Sequence, residues 1–123
     1  MRLTIGGIMA IKSIDDYPVV VAEGEVDHWK APELEYKIDQ LIFEGHKKII
    51  LDFSQLTYID SGGIAVLFLQ LQKLQPTNGE LMIVTENKNI LKILDLVKIT
   101  EQKSFSLYSD IDEAKKQLKG SSY

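Results

Sequence analysis

Apolar residues recur along this chain in two rhythms, and the alternation between them predicts an architecture. Short, nearly continuous runs rich in β-branched residues stand at Val19-Val20-Val21-Ala22, Lys48-Ile49-Ile50-Leu51-Asp52-Phe53 and Leu81-Met82-Ile83-Val84. Runs of this kind read as strands covered on both faces. Between them the apolar positions fall three and four apart. Leu34, Ile38, Leu41 and Ile42 predict a helix over residues 32 to 44, opened by Pro32 and stopped by Gly45. Ile64, Leu67, Phe68, Leu71 and Leu74 predict a second, from Ser61 to Gln75, ended by Pro76-Thr77-Asn78-Gly79. Ile90, Leu91 and Leu94 predict a short third, starting at Asn87 or Lys88 and running to Leu96.

Weaker signals complete the pattern. Ile8 to Ile14 alternates loosely and precedes the turn residues Asp15-Asp16-Tyr17-Pro18, so it pairs with Val19 to Ala22 as a hairpin. Ser104 to Leu107 reads as a last strand. Ser109 with Asp112 three positions on has the form of a capping box, opening a final helix to Leu118. After the hairpin, strands and helices strictly alternate, which requires helical crossovers between parallel strands. The expected fold class is therefore α/β: a mixed, largely parallel sheet of four to five strands with about four helices. Residues 1–8 are expected to form a flexible arm, 9–118 one domain and 119–123 a short tail.

Composition narrows the function classes. The chain has 123 residues, 45% hydrophobic and 26% charged, which is ordinary globular material with enough length for a core of its own. It has no cysteine, so neither a disulfide framework nor a thiolate nucleophile or metal site is available. A formal net charge of -4 argues against direct nucleic-acid binding, which needs a basic surface. No apolar run approaches the roughly 20 residues of a membrane span. The first ten residues carry one basic residue and no sustained apolar segment, so they do not read as a secretory signal, and a cytoplasmic location is expected.

The chemistry concentrates at Asp60-Ser61-Gly62-Gly63, where an acidic residue, a hydroxyl and two glycines open the second predicted helix. In one reading Ser61 is simply the helix N-cap, contributing about 1 kcal/mol through its hydroxyl, with Asp60 favoured by the helix dipole. In another, Ser61 accepts phosphate. A phosphoserine brings about -1.5 to -2 charges, which free N–H groups at a helix start accommodate. Repulsion from Asp60 at roughly 6 Å in water is only about 0.7 kcal/mol per charge pair, so the fold should survive the modification. Because Asp27 follows the second strand and Ser61 the third, both are expected on one edge of the sheet. Ala65, Val66 and Leu69 widen the apolar part of the helix beyond a single stripe and make Val66 a candidate contact for a partner.

Other chemistry is poorly served. The position two before Ser61 is Ile59, so the Gly-x-Ser-x-Gly elbow of a serine hydrolase is missing. Only His28 and His46 could supply a base. No Gly-x-x-x-x-Gly-Lys phosphate loop occurs, and Glu25, Asp27 and His28 are the nearest approach to a metal cluster. No cofactor and no metal are expected.

Two stretches resemble a known family. Gly24-Glu25-Val26-Asp27-His28, and Leu51-Asp52-Phe53-Ser54-Gln55-Leu56-Thr57-Tyr58-Ile59-Asp60-Ser61-Gly62-Gly63-Ile64, are similar to the two motifs of STAS domains, most closely the bacterial anti-sigma factor antagonists. The order of elements matches from Met9 to Leu118. The resemblance implies a non-enzymatic protein that binds an anti-sigma factor, itself an ATP-dependent serine kinase, and so frees a sigma factor. Phosphorylation of the serine matching Ser61 would break that complex and a phosphatase would reset it. It further implies that Asp27, His28, Asp60, Ser61, Gly62, Gly63 and Val66 belong to the partner-binding surface. The usual motif has a second hydroxyl residue where this chain has Gly62. STAS modules also serve other assemblies, such as transporter subunits and stress-sensing complexes, which is the alternative the resemblance leaves; a small hydrolase using Ser61 is a third reading.

Overall fold

The computed structural model describes residues 9–120. The expected arm over 1–8 and the last three residues of the expected tail lie outside that range. Five strands form one sheet in the order β1-β2-β3-β4-β5: β1 Met9–Ile14, β2 Tyr17–Val26, β3 Lys48–Ile59, β4 Glu80–Val84 and β5 Phe105–Tyr108. Only β1 is antiparallel to its neighbour; the other three pairings are parallel. The helices are α1 Ala31–Phe43, α2 Ser61–Leu74, α3 Lys88–Leu96 and α4 Ile111–Gly120.

Asp15 and Asp16, at φ 50° and 68°, make the two-residue turn between β1 and β2. Positive φ at both positions is the mark of a type I′ hairpin, whose twist matches that of the strands. From there each crossover steps one strand in the same direction, so crossovers of one hand bring α1, α2 and α3 to the same face. The core shows this in the alternation of the strands. Val20, Ile49, Leu51, Leu81 and Ile83 pack with Leu34, Ile38, Leu67, Leu71, Ile90 and Leu94 from those three helices. Their neighbours Val19, Ile50, Met82 and Val84 point the other way and are covered by Ala114 and Leu118 of α4. Both faces being buried explains the continuous apolar runs.

Two strands run further than the apolar pattern predicts, β2 to Val26 and β3 to Ile59. The pairing β2–β3 slips by one residue twice, between Val21 and Glu23 and between Gly24 and Glu25, each time leaving an extra residue on β3. Such bulges break the two-residue alternation. As a result Phe53, Leu56 and Ile59, three apart in sequence, all face the core, and a spacing of three does not read as a strand. Gly24 sits at φ 79°, a conformation open mainly to glycine, and its carbonyl accepts a bond from the Thr57 hydroxyl at 2.9 Å.

At the other end of the chain, α4 is capped by Asp110, whose Oδ1 accepts the Glu113 N–H at 2.8 Å, while Glu113 Oε1 accepts the Ser109 N–H at 3.2 Å. The expected box of Ser109 and Asp112 is therefore shifted by one residue, because a carboxylate is the stronger acceptor. The helix continues through Gly120, two residues past its predicted end at Leu118.

Between α1 and α2 one polar group is buried. Gln70 is fully buried; its Nε2 donates to Asp39 Oδ1 at 3.1 Å, alongside Lys73 Nζ at 2.7 Å, while its Oε1 has no partner. An unsatisfied buried acceptor costs about 1–3 kcal/mol, comparable to or more than a typical hydrogen bond returns. Gln70→Met, which fills the same space and leaves Asp39 its lysine, is expected to raise the urea unfolding midpoint; a lowered midpoint would show that the amide is stabilising.

Candidate functional site

Parallel pairing of β2 with β3, in register at Val26 and Ile59, brings the residues that follow each strand side by side at one edge of the sheet. The Asp60 N–H donates to the Val26 carbonyl at 3.1 Å, so Asp60 is still part of the ladder. Its backbone is extended, at φ -102° and ψ -172°, and the helix begins one residue later. That makes Asp60, and not Ser61, the N-cap of α2. A cap residue needs extended backbone geometry, and the strand imposes it on Asp60.

The Asp60 carboxylate joins two segments. Oδ1 accepts the N–H groups of Gly62 at 2.8 Å and Gly63 at 3.2 Å, and Oδ2 accepts the His28 N–H at 2.9 Å. Burial alone would raise this carboxyl, but the N–H groups of Gly63, Gly62 and His28, with the charge of a protonated His28, outweigh it and hold Asp60 below its ordinary value of 3.8. Asp27 performs a similar task on its own side. Its Oδ1 accepts the N–H groups of Trp29 at 3.0 Å and Lys30 at 3.1 Å, and its carbonyl those of Lys30 and Ala31. This carries the chain from β2 directly into α1, which has no side-chain cap at Lys30. The loop so formed projects His28 and Trp29, whose rings lie 4.9 Å apart at 41°.

Gly62 and Gly63 are the price of that closeness. A Cβ on Gly63 would fall 2.6 Å from Ile59 Cγ1 and 3.0 Å from Val26 Cγ1. On Gly62 it would stand 3.1 Å from the His28 Cα and 3.2 Å from Asp60 Oδ1. Gly62 thus lets the loop rest directly on the helix start.

With the cap supplied by Asp60, the Ser61 hydroxyl is exposed and has no hydrogen-bond partner among the described residues. It stands on the rim of an apolar groove of about 370 Å³ between Ile64 and Ala65 of α2 and Ile93 and Val97 at the end of α3. The free N–H groups expected to receive a phosphate are in part already engaged, since Gly62 and Gly63 donate to Asp60. A phosphate on Ser61 would therefore project outward. Val66 does not join this surface: it is 6% exposed and lies in the core, whereas Ala65 and Leu69 face outward. Trp29, Ile93 and Val97 went unmarked in the sequence. Trp29 belongs to no periodic pattern, and only the fold brings α3 beside Ser61.

His28, Asp60 and Ser61 are the residue types of a hydrolase triad, but they are not arranged as one. The His28 Nδ1 is 3.7 Å from Asp60 Oδ2, beyond hydrogen-bonding distance, and both carboxylate oxygens already accept backbone N–H groups. No group of three or more metal-ligating side chains occurs among the described residues, and no described helix is long and apolar enough to cross a membrane.

The STAS domain family model matches residues 9–114. This chain belongs to the STAS domain family. It is 25% identical over 87 residues to the anti-sigma-B factor antagonist of Staphylococcus epidermidis, covering 71% of this chain and 81% of that protein. Its fold matches the crystal structure of an anti-sigma factor antagonist from Mycobacterium paratuberculosis with a TM-score of 0.82 at 23% identity, over 92% of this chain and 94% of the other. It also matches the anti-sigma factor antagonist SpoIIAA in its unphosphorylated form, with a TM-score of 0.73 at 20% identity over 92% of this chain and 99% of that one.

Three substitutions probe the helix start of this STAS domain. Gly63→Ala is expected to lower stability by about 1–3 kcal/mol through overpacking, and Gly62→Ala by less than about 1 kcal/mol, because its contacts are looser and alanine favours the helix; chemical denaturation measures both. Since Asp60 has a lowered value when folded, its charge contributes stability that is fully present above pH 3.8 and is lost as pH falls through the folded value. The urea midpoints of the native chain and Asp60→Asn should therefore differ most at neutral pH, draw together as pH falls through 3.8 and converge below the lowered folded value; a gap independent of pH would remove the charge from the account.

Proposed function

We propose that this STAS domain is an anti-sigma factor antagonist whose hold on an anti-sigma factor with serine kinase activity is released by phosphorylation of Ser61. The observation that carries the reading is the exposed, unengaged hydroxyl of Ser61, fixed at the start of a rigid helix beside an apolar groove. Asp27, His28, Asp60, Gly62 and Gly63 shape the surface around it, the groove takes an apolar side chain of the partner, and Ser61 is the point at which charge is added. The relatives named as anti-sigma factor antagonists support the partner class.

The mechanism is electrostatic and local. Asp60 keeps the helix start together through backbone N–H groups that a phosphate need not displace, so the fold absorbs the modification. A partner covering Ser61 has to desolvate the added phosphate, at several kcal/mol. At about 1.4 kcal/mol per factor of ten, the complex weakens by about two orders of magnitude or more. A phosphatase restores the binding form. In this role the protein is a binder and phosphate acceptor rather than a catalyst, and it works in the cytoplasm, where sigma factors meet RNA polymerase.

The test is mass spectrometry of the protein isolated from its host, with the kinase it copurifies with. One phosphate is expected on Ser61; Ser61→Ala should take none yet bind the kinase normally, and Ser61→Asp should bind about tenfold or more weakly. Native affinity in Ser61→Asp, or phosphate at another residue only, would overturn the switch.

A further inference from the structure

The outer face of α1 carries aromatic rings for which the fold has no use. Phe43 is 91% exposed, Tyr36 62% and Trp29, just ahead of the helix, 79%. They are seven residues apart in sequence. Seven residues are nearly two turns, so Tyr36 and Phe43 share one stripe, opposite to the buried Leu34, Ile38 and Leu41. The Tyr36 hydroxyl is held by a bond from Gln40 Nε2 at 3.2 Å, one turn on. This face is distinct from the groove beside Ser61, which lies between α2 and α3.

Carboxylates flank the stripe on both sides: Glu33 and Glu44 on one, Glu35 and Asp39 on the other. Lys37 approaches Glu33 at 3.9 Å, Lys73 pairs with Asp39 at 2.7 Å and His46 Nε2 stands 3.8 Å from Glu44, but with four carboxylates against one lysine the strip between Ala31 and Glu44 stays acidic, on a chain of net charge -4. We propose that this face is a second docking surface, for a basic protein segment that presents arginine. A guanidinium stacks on aromatic faces and forks onto carboxylates, which is the combination the stripe and its flanks offer. A second copy of this chain fits less well. It would set acidic flanks against each other, and three rings of this exposure offer only about 500 Å², short of the roughly 800 Å² per partner in a standard interface. The surface therefore suits a transient partner held by a few anchors.

Binding here does not depend on Ser61, so its failure and the failure of the phosphorylation switch are separate results. Trp29 is the only tryptophan, and its emission reports on the loop end of the stripe. The full chain is titrated with capped hexa-arginine and hexa-lysine peptides, with sedimentation run in parallel. Hexa-arginine is expected to shift the Trp29 emission and to bind about fivefold or more tightly than hexa-lysine. Tyr36→Ser and Phe43→Ser, both at exposed positions, should each reduce that affinity about threefold or more, and Ser61→Asp should leave it unchanged. Absence of arginine binding, equal affinity for the two peptides, or indifference to both substitutions overturns the proposal, as does loss of binding in Ser61→Asp. A dimer in sedimentation that Phe43→Ser dissolves would also overturn it, assigning the face to a second copy.

Discussion

The Asp60 carboxylate is the constraint on which the candidate site depends. It stands at the junction of a strand and a helix, and each of its oxygens serves a different segment: one holds the first turn of α2, the other the loop that leads into α1. A single side chain thereby fixes the distance between two elements that follow different strands. Because the carboxylate takes the capping bonds, the neighbouring serine has none to make. The exposed state of the Ser61 hydroxyl is a consequence of what Asp60 does, and the two residues cannot exchange places without losing that division of labour.

The same junction shows why the two glycines differ. Gly63 sits over Ile59 and Val26, in the core beneath the site, and has no room for a side chain. Gly62 lies under the backbone of His28 and governs how near the loop comes to the helix. One glycine belongs to the packing of the domain; the other sets the relief of its surface. A side chain at that position would have to press on the His28 backbone and the Asp60 carboxylate, so the absence of one lets the surface around Ser61 close in.

Much of the fold was legible because its strands are buried on both faces and its helices on one, and burial writes itself into sequence as runs and as periods of three and four. The order of elements, the single antiparallel strand and the placing of Asp27 and Ser61 at one edge all follow from that. What was not legible involved competition between similar groups. Asp60 and Ser61 are both good cap residues, as are Ser109 and Asp110, and only the strand geometry or the stronger acceptor decides between them. Val66 lies in an apolar stretch whose outward and inward members differ by one position. The extensions of β2 and β3 were hidden by bulges, which replace the alternation of a strand with a spacing that belongs to no regular element.

Those bulges also make the segment before the site a matter of arithmetic. Phe53, Leu56 and Ile59 reach the core through a fixed number of intervening residues, while Ser54, Gln55, Thr57 and Tyr58 are exposed. Apart from Thr57, which bonds the Gly24 carbonyl, their identities are loosely held and their number is not. Removing one of them would turn the following residues to the opposite side of the sheet, sending Ile59 outward and altering the direction in which Ser61 leaves the strand. Substitution at Ser54, Gln55 or Tyr58 is easily absorbed, whereas insertion or deletion anywhere in the stretch is not.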